Sequence, residues 1–153
     1  MKNGIKNLSI SFIANLVTII VSFIVTLFLP KIISVEQYGY WQVYLFYSTY
    51  VGILHLGLND GIYLRYGGEE YNDLNFKLFY GEFKILFNFE LIAMLIIIFV
   101  SCVFFNGSYK YIWVSLGICA FLTNLRYMFV YILQATNLIR EFAIVTIIDR
   151  VVF

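Results

Sequence analysis

The chain has 153 residues, of which 62% are apolar and only 12% are charged, and its net charge is +1. A soluble domain of this length could not bury so many apolar side chains, because small domains keep a large surface in contact with water. The composition therefore excludes a soluble globular enzyme and a disordered chain, the lack of a basic excess excludes a nucleic-acid binder, and an integral membrane protein remains.

The apolar residues are gathered into long stretches with few charges, which predict transmembrane helices. A helix needs about 20 apolar residues to cross a bilayer. Four stretches reach that length, at about 8–29, 38–59, 85–105 and 111–135, and a fifth begins at 142 and is cut off at 153. These stretches do not alternate apolar and polar residues as barrel strands would. We therefore expect an all-α transmembrane bundle with four full spans and the start of a fifth.

The lysines and arginines beside the spans favour a cytoplasmic N-terminus, because positive residues are enriched on the cytoplasmic side of a membrane. In that orientation the inside set is Lys2, Lys6, Arg65, Lys77, Lys84 and Arg140, and the outside set is Lys31 and Lys110. The polar loop at about 60–82 would then face the cytoplasm. Tyrosines and tryptophans near 38–44 and 109–113 would lie at the outer interface, where aromatic belts anchor helices.

Neither the cysteines nor the histidine form a recognisable chemical site. Cys102 and Cys119 lie in apolar surroundings without a metal-binding spacing, so we expect free buried thiols. His55 is the only histidine and has no neighbouring ligand or nucleophile. We interpret it as a neutral imidazole that is hydrogen-bonded inside the bundle. We expect no metal, no cofactor and no catalytic constellation, and hence no enzyme.

Polar residues of the first span fall on one side of the helix. They are Ser11, Asn15, Thr18, Ser22 and Thr26. At about 100° per residue they lie within an arc of roughly 80°. Small polar residues on one face can mediate close packing between helices, or they can line a hydrated cavity. Both interpretations stay open, and the larger size of Asn15 makes it a candidate for contact with a substrate.

Charges within the fourth and fifth spans lie where charge is expensive. Arg126 is well inside an apolar stretch, where insertion scales give an arginine a cost of about 2.5–3.5 kcal/mol. Asp149 could pair with Arg126 or Arg150 and fix the packing of the helices. Alternatively, the two arginines bind an anionic group, because guanidinium matches phosphate oxygens. The polar residues that share the face of Arg126 are Thr123, Tyr127, Tyr131, Gln134 and Asn137.

The end of the second span carries Asp60, Gly61 and Arg65. The simplest interpretation is a solvated helix end with a local charge pair between Asp60 and Arg65. The alternative is a gating contact or a contact that fixes a turn. Further along the chain, we assign Glu82, Lys84 and Glu90 to an interfacial helix that leads into the third span.

Several short motifs lie around the hydrophobic spans. They are Leu29-Pro30, Glu36-Gln37-Tyr38-Gly39-Tyr40-Trp41, Gly57-Leu58-Asn59-Asp60-Gly61, Arg65-Tyr66-Gly67-Gly68, and Leu133-Gln134-Ala135-Thr136-Asn137 before Arg140-Glu141. In their order and spacing the chain resembles the N-terminal part of a bacterial flippase for lipid-linked oligosaccharides such as O-antigen and other polysaccharide precursors. These flippases form a branch of the multidrug/oligosaccharidyl-lipid/polysaccharide exporter superfamily. The resemblance covers essentially the whole chain.

The resemblance implies a multi-pass transporter of the bacterial inner membrane, built from two pseudo-symmetric bundles that open a cavity to each side in turn. Its substrate would be an oligosaccharide on undecaprenyl pyrophosphate, moved across the membrane for surface polysaccharide and lipopolysaccharide biosynthesis. Its partners would be membrane lipids and, in the same pathway, a polysaccharide polymerase and glycosyltransferases. Because the fifth span is incomplete, we expect an N-terminal fragment of such a transporter.

These expectations assign roles to individual residues. Candidate substrate-binding residues are Asn15, Arg126, Tyr131, Gln134 and Arg150. Candidate gating or structural residues are Asp60, Gly61, Arg65 and Asp149. The arginines would counter the pyrophosphate charge, and the others would replace hydrogen bonds that sugar hydroxyls lose on leaving water. Two alternatives stay open: a multidrug or metabolite antiporter of the same superfamily, which would use intramembrane carboxylates, and a membrane subunit without transport activity.

Overall fold

A computed structural model describes residues 2–152, and the side chains of residues 2–8, 10, 11, 14 and 150–152 lie outside the described part. Over the described residues the chain is helical and contains no strand, so the predicted all-α fold is confirmed. The helices are α1 Lys2–Ile32, α2 Val35–Ser48, α3 Leu58–Arg65, α4 Phe76–Phe104, α5 Gly107–Ala135 and α6 Ile139–Val152. Two short 3₁₀ turns, Val51–His55 and Tyr71–Asp73, lie on either side of α3.

Three helices of the described part are long and apolar enough to cross a membrane. They are α4, α5 and the Asn15–Ile32 part of α1. The two longest have 29 residues each, which corresponds to about 43 Å at 1.5 Å per residue and exceeds a hydrocarbon core of about 30 Å. By length and composition, these three helices are compatible with a membrane protein.

The stretch that was predicted as a second span, 38–59, is not one continuous helix. α2 ends at Ser48, and α3 begins only at Leu58. We call the intervening residues 49–57 the helix break. Hydropathy does not predict this interruption, because the residues of the helix break are themselves mostly apolar.

The backbone of the helix break cannot continue a right-handed helix. Leu56 and Gly57 have φ angles of 48° and 81°, and left-handed residues of this kind end a right-handed helix. Gly57 then forms the N-cap of α3. The change of direction therefore rests on two consecutive residues of the break.

The third predicted span is part of a longer helix than expected. α4 begins at Phe76, where the side chain of Asn75 caps it by accepting a hydrogen bond from the backbone N–H of Leu78 at 3.2 Å. Glu82 and Glu90 therefore lie on a helix that leads into the apolar span without a break.

The helices pack around α5. α4 packs along α5, and α2, the Val51–His55 turn and α3 pack against α5 in succession, while α1 packs mainly against α6. A Cβ atom at Gly117 of α5 would lie only 3.2 Å from Cγ2 of Ile97 on α4. A glycine at this point allows the two long helices to approach closely, as small residues do between membrane helices.

A buried apolar cluster lies where α3 and the loop after it meet α4 and α5. Its members are Ile62, Tyr66, Leu74, Leu86, Met128, Ile132 and Ala135. Apolar side chains elsewhere remain exposed, especially along α1, where Phe12, Ile19 and Phe23 are each more than 60% exposed. In a bilayer such side chains contact lipid tails or further helices, which are as apolar as they are.

Candidate functional site

Three polar side chains are almost fully buried where the helix break meets α4 and α5. Glu90 of α4 is 1% exposed, and both Asn59 of α3 and Asn124 of α5 are 0% exposed. We call these three residues the buried polar cluster. Polar groups in such surroundings are costly unless they are hydrogen-bonded, so their partners determine what the cluster can do.

Asn124 joins three elements through hydrogen bonds. Its Nδ2 donates to Oε1 of Glu90 at 2.9 Å and to the backbone oxygen of Val51, in the helix break, at 3.2 Å. The backbone oxygen of Asn124 in turn accepts from Nδ2 of Asn59 at 2.9 Å. Rotating either amide would place an oxygen against these acceptors, so the neighbours fix the orientation of both amides.

Each of the three side chains also presents an oxygen that accepts no hydrogen bond. Among the described residues, these buried atoms without a partner are Oδ1 of Asn59, Oδ1 of Asn124 and Oε2 of Glu90. Both amide nitrogens donate hydrogen bonds, and the three buried atoms without a partner are all oxygens. Leaving one such group buried and unpaired costs about 1–3 kcal/mol, and more for a charged group.

The helix break also holds His55, which is buried. Its Nδ1 accepts a hydrogen bond from the backbone N–H of Gly57 at 3.1 Å. The prediction that His55 is hydrogen-bonded inside the bundle is confirmed. Both cysteines are free thiols, as expected, but Cys102 is exposed, because it lies on an outward face of α4.

Three of the four predicted gating or structural residues lie on α3, and the fourth, Asp149, lies on α6. Asp60 and Gly61 are exposed, while Arg65 forms an ion pair with Glu82 of α4. Among the described residues the expected local pair between Asp60 and Arg65 is not formed. The contact instead ties α3 to α4 across the loop.

Tyr66, directly after Arg65, strengthens the same connection. Its hydroxyl donates to Oε2 of Glu82 at 2.9 Å. Burial, together with this hydrogen bond, raises the pKa of Tyr66 to about 12. In the loop after α3, the backbone N–H of Gly68 donates to the backbone oxygen of Ala135 at 3.1 Å. This hydrogen bond connects the loop to the end of α5.

The predicted substrate-binding residues are distributed over three helices. Arg126 of α5 pairs with Asp149 of α6, Nη1 to Oδ2, at 2.7 Å, and its guanidinium lies 4.9 Å from the ring centre of Tyr127. Arg126 is one of the two partners that the sequence predicted for Asp149. Both side chains of the pair are partly exposed, so Arg126 retains access to a further anionic group.

The other candidates differ in their surroundings. Tyr131 packs its ring edge-on against Tyr63 of α3, with ring centres 5.7 Å apart, and Gln134 is half-buried on the same helix. Asn15 is exposed on α1. The side chain of Arg150 lies outside the described residues.

A groove of about 630 Å³ lies between α1, α2 and α5. Aromatic rings from two predicted interface regions line it, namely Tyr40, Trp41, Tyr44 and Tyr111, beside Gln37. Next to the groove, Tyr40 of α2 packs edge-on against Tyr109 of α5 with ring centres 5.5 Å apart. The structure thus brings together aromatic residues that are far apart in the chain.

The sequence analysis missed Glu90 and Asn124 as candidate residues. Asn124 is two positions from Arg126, so it lies on the side of α5 opposite the polar face that contains Arg126. Glu90 carried a usable signal: it is the only charged residue between 85 and 109. A carboxylate alone in such a stretch indicates a functional position by default.

Comparisons of this chain with known protein families, with curated protein sequences and with solved structures found no match.

Proposed function

We propose that the chain forms four membrane spans, with its N-terminus in the cytoplasm. The second span consists of α2, the helix break and α3. α2 and α3 have 14 and 8 residues, which reach only about 21 and 12 Å at 1.5 Å per residue. Neither crosses a hydrocarbon core of about 30 Å alone, whereas the two together can do so.

We further propose that this is part of a transporter, and the interrupted second span is the observation that carries the proposal. Irregular backbone at membrane depth is tolerated only where it is buried in protein or lines a water-filled cavity. Discontinuous helices form the substrate and ion sites of many transporters. In the helix break, the backbone oxygen of Val51 accepts a hydrogen bond from Asn124, which also donates to the buried carboxyl group of Glu90. A membrane subunit without transport activity would not need this arrangement.

The substrate we propose is a lipid-linked oligosaccharide, carried on undecaprenyl pyrophosphate and moved across the bacterial inner membrane for surface polysaccharide biosynthesis. The motifs that resemble the flippase family support this choice. The aromatic groove beside Gln37 offers flat apolar surfaces and a polar group to a sugar. Arg126 and Arg150 would meet the pyrophosphate, while Asn15, Tyr131 and Gln134 would bond to sugar hydroxyls.

The test uses three variants of the protein in the bacterium that carries its gene, with surface polysaccharide as the readout. Arg126→Ala should abolish surface polysaccharide at a normal protein level. Because Arg126 is paired, this variant also leaves the Asp149 charge without its partner. The double variant Arg126→Met with Asp149→Leu removes the ion pair as a unit, which usually leaves stability unchanged or improved.

The double variant separates substrate binding from helix packing. If Arg126 contacts the pyrophosphate, the double variant is stable and still fails to export polysaccharide, and Arg126→Lys retains part of the activity because it keeps the charge. Full export by the double variant would show that the pair only holds α5 against α6. That result would remove Arg126 from the proposed substrate site.

A multidrug or metabolite antiporter of the same superfamily is a second candidate, and the burial of Glu90 favours it. Intramembrane carboxylates carry the coupling ion in many transporters, and Glu90 adds a buried one to the more exposed Asp149. Ion-driven efflux of drugs from membrane vesicles, without any change in surface polysaccharide on deletion of the gene, would support the antiporter over the flippase.

A further inference from the structure

The buried polar cluster combines one carboxyl group with three side-chain oxygens that accept no hydrogen bond. Glu90 is met by a single neutral donor, the amide of Asn124. Among the described residues no lysine, arginine or histidine pairs with it, since the ion pairs of this part are Arg65–Glu82 and Arg126–Asp149. When ionised, Glu90, which is 1% exposed, therefore needs a compensating positive charge that the described residues do not supply.

From this arrangement we propose that the buried polar cluster binds a monovalent metal cation, sodium in the first place, through Glu90, Asn59 and Asn124. Carboxylate and amide oxygens are the ligands that hard cations take in proteins. A single carboxylate balances a single positive charge. Divalent cations are usually held by several carboxylates, and the cluster contains one.

The number of unpartnered oxygens favours a metal cation over a proton. A proton on Glu90 would neutralise the carboxyl group and could donate to one acceptor. It would leave a buried oxygen of Asn59 or Asn124 without any partner. A metal cation accepts several oxygen ligands, so it can relieve the desolvation penalty of more than one of these oxygens.

The amide hydrogens are arranged as a cation site requires. The Nδ2 groups of Asn59 and Asn124 donate to a carbonyl of α5, to a carbonyl of the helix break and to Glu90. These bonds engage the nitrogen of each amide and leave its Oδ1 atom as the free group, and an oxygen is the ligand that a positive ion requires. The helix break supplies the neighbouring unwound backbone, as in known sodium sites at discontinuous helices.

This inference deepens the proposed function, since a bound cation would be the coupling ion of the transporter, and in that sense it rests on it. Binding can nevertheless be measured without transport. The experiment uses the purified chain in detergent and follows binding of radioactive sodium and the unfolding temperature. Sodium chloride, potassium chloride and choline chloride are compared at equal ionic strength, so that general salt effects cancel.

We expect saturable sodium binding and a sodium-dependent rise in unfolding temperature, because a ligand that binds only the folded state stabilises it. Glu90→Gln should abolish both, and Asn59→Leu should weaken sodium binding about tenfold or more. Glu82→Gln, which alters a carboxylate of the same helix in the Arg65 ion pair, should retain full sodium binding. Helical content measured by circular dichroism in choline chloride shows which variants are folded.

Two results would overturn the inference. One is sodium binding by Glu90→Gln at the wild-type level. The other is the absence of any sodium effect in the wild type together with an infrared band of a protonated Glu90 carboxyl at neutral pH, which would mean that a proton neutralises the cluster. Neither result bears on surface polysaccharide export, so failure of the cation site and failure of the transport proposal can be told apart.

Discussion

Tyr66 shows how one side chain can fix the relation of two helices. It follows the last residue of α3, is 2% exposed, and donates to Glu82 of α4. The raised pKa of Tyr66 means that the folded protein holds the phenol proton more tightly than the unfolded chain, in which the pKa lies near 10. The fold therefore prefers the neutral phenol.

The raised pKa predicts a loss of stability in alkali. The contribution of Tyr66 is fully present below pH 10 and is lost as the pH rises from 10 to about 12. The difference between the two pKa values corresponds to about 2–3 kcal/mol. Urea unfolding, followed by circular dichroism between these pH values, should show a steeper loss of stability in the wild type than in Tyr66→Phe.

The control for this prediction is Tyr71→Phe, which alters an exposed tyrosine in the following loop. It should lose stability with pH as the wild type does. Equal slopes for the wild type and Tyr66→Phe would contradict the assigned role of Tyr66. At neutral pH, Tyr66→Phe should be less stable by about 1.5–3 kcal/mol, the usual contribution of a hydrogen bond to a charged group.

At the scale of the elements, the long apolar helices could be predicted and the helix break could not. α4 and α5 contain the stretches expected at 85–105 and 111–135, because continuous apolar character over that length leaves few alternatives. The break is equally apolar, and it depends on the left-handed backbone at Leu56 and Gly57. Hydropathy does not report backbone conformation.

Gly57→Ala should destabilise the protein by about 1–2 kcal/mol, because an alanine Cβ is unfavourable at a φ angle of 81°. Gly52→Ala is the matched control in the same segment, since a Cβ there meets nothing within 4 Å and its φ angle is not left-handed. It should leave stability unchanged or raise it by about 0.4–1 kcal/mol. Denaturant midpoints of the two variants provide the comparison.

Equal stabilities of the two glycine variants would show that the interruption between α2 and α3 does not depend on the left-handed conformation of Gly57. The buried polar cluster depends on the same conformation, because Val51 and Asn59 lie on either side of it. The sequence indicated Asn59 within a glycine-containing motif, but its pairing with Asn124 required the chain to turn at the break. Such contacts between distant residues follow from the packing and not from local pattern.

At the scale of the whole molecule, the exposed apolar surface and the distribution of charge predict how the bundle would lie in a membrane. α4 is long enough to separate its two flanking loops by a full bilayer. The loop before it carries Glu69, Glu70 and Asp73, and the short connection after it contains Asn106. The excess of lysine and arginine predicts that the former faces the cytoplasm.

Thiol labelling tests this orientation. In a background with Cys102→Ser and Cys119→Ser, the variants Glu70→Cys and Asn106→Cys each place one thiol at an exposed position. A membrane-impermeant maleimide should label the Asn106→Cys variant in intact spheroplasts. It should label Glu70→Cys only after the membrane is permeabilised. The reverse pattern would contradict the proposed N-terminal side, and labelling of both variants in intact spheroplasts would contradict a membrane-crossing α4.

Both hydrogens of the Asn124 amide are committed, one to the backbone of the helix break and one to Glu90. A single nitrogen atom, Nδ2 of Asn124, therefore bonds both to the backbone of the helix break and to the carboxyl group of Glu90. This couples the conformation of the break to the charge state of Glu90. Thermodynamic reciprocity then applies: if a change of charge at Glu90 favours one position of the break, moving the break to that position favours the same charge by an equal free energy. The hydrogen bond from Asn124 to Val51 is the longest in the network, at 3.2 Å. A displacement of the backbone of the helix break would act on Glu90 through this bond.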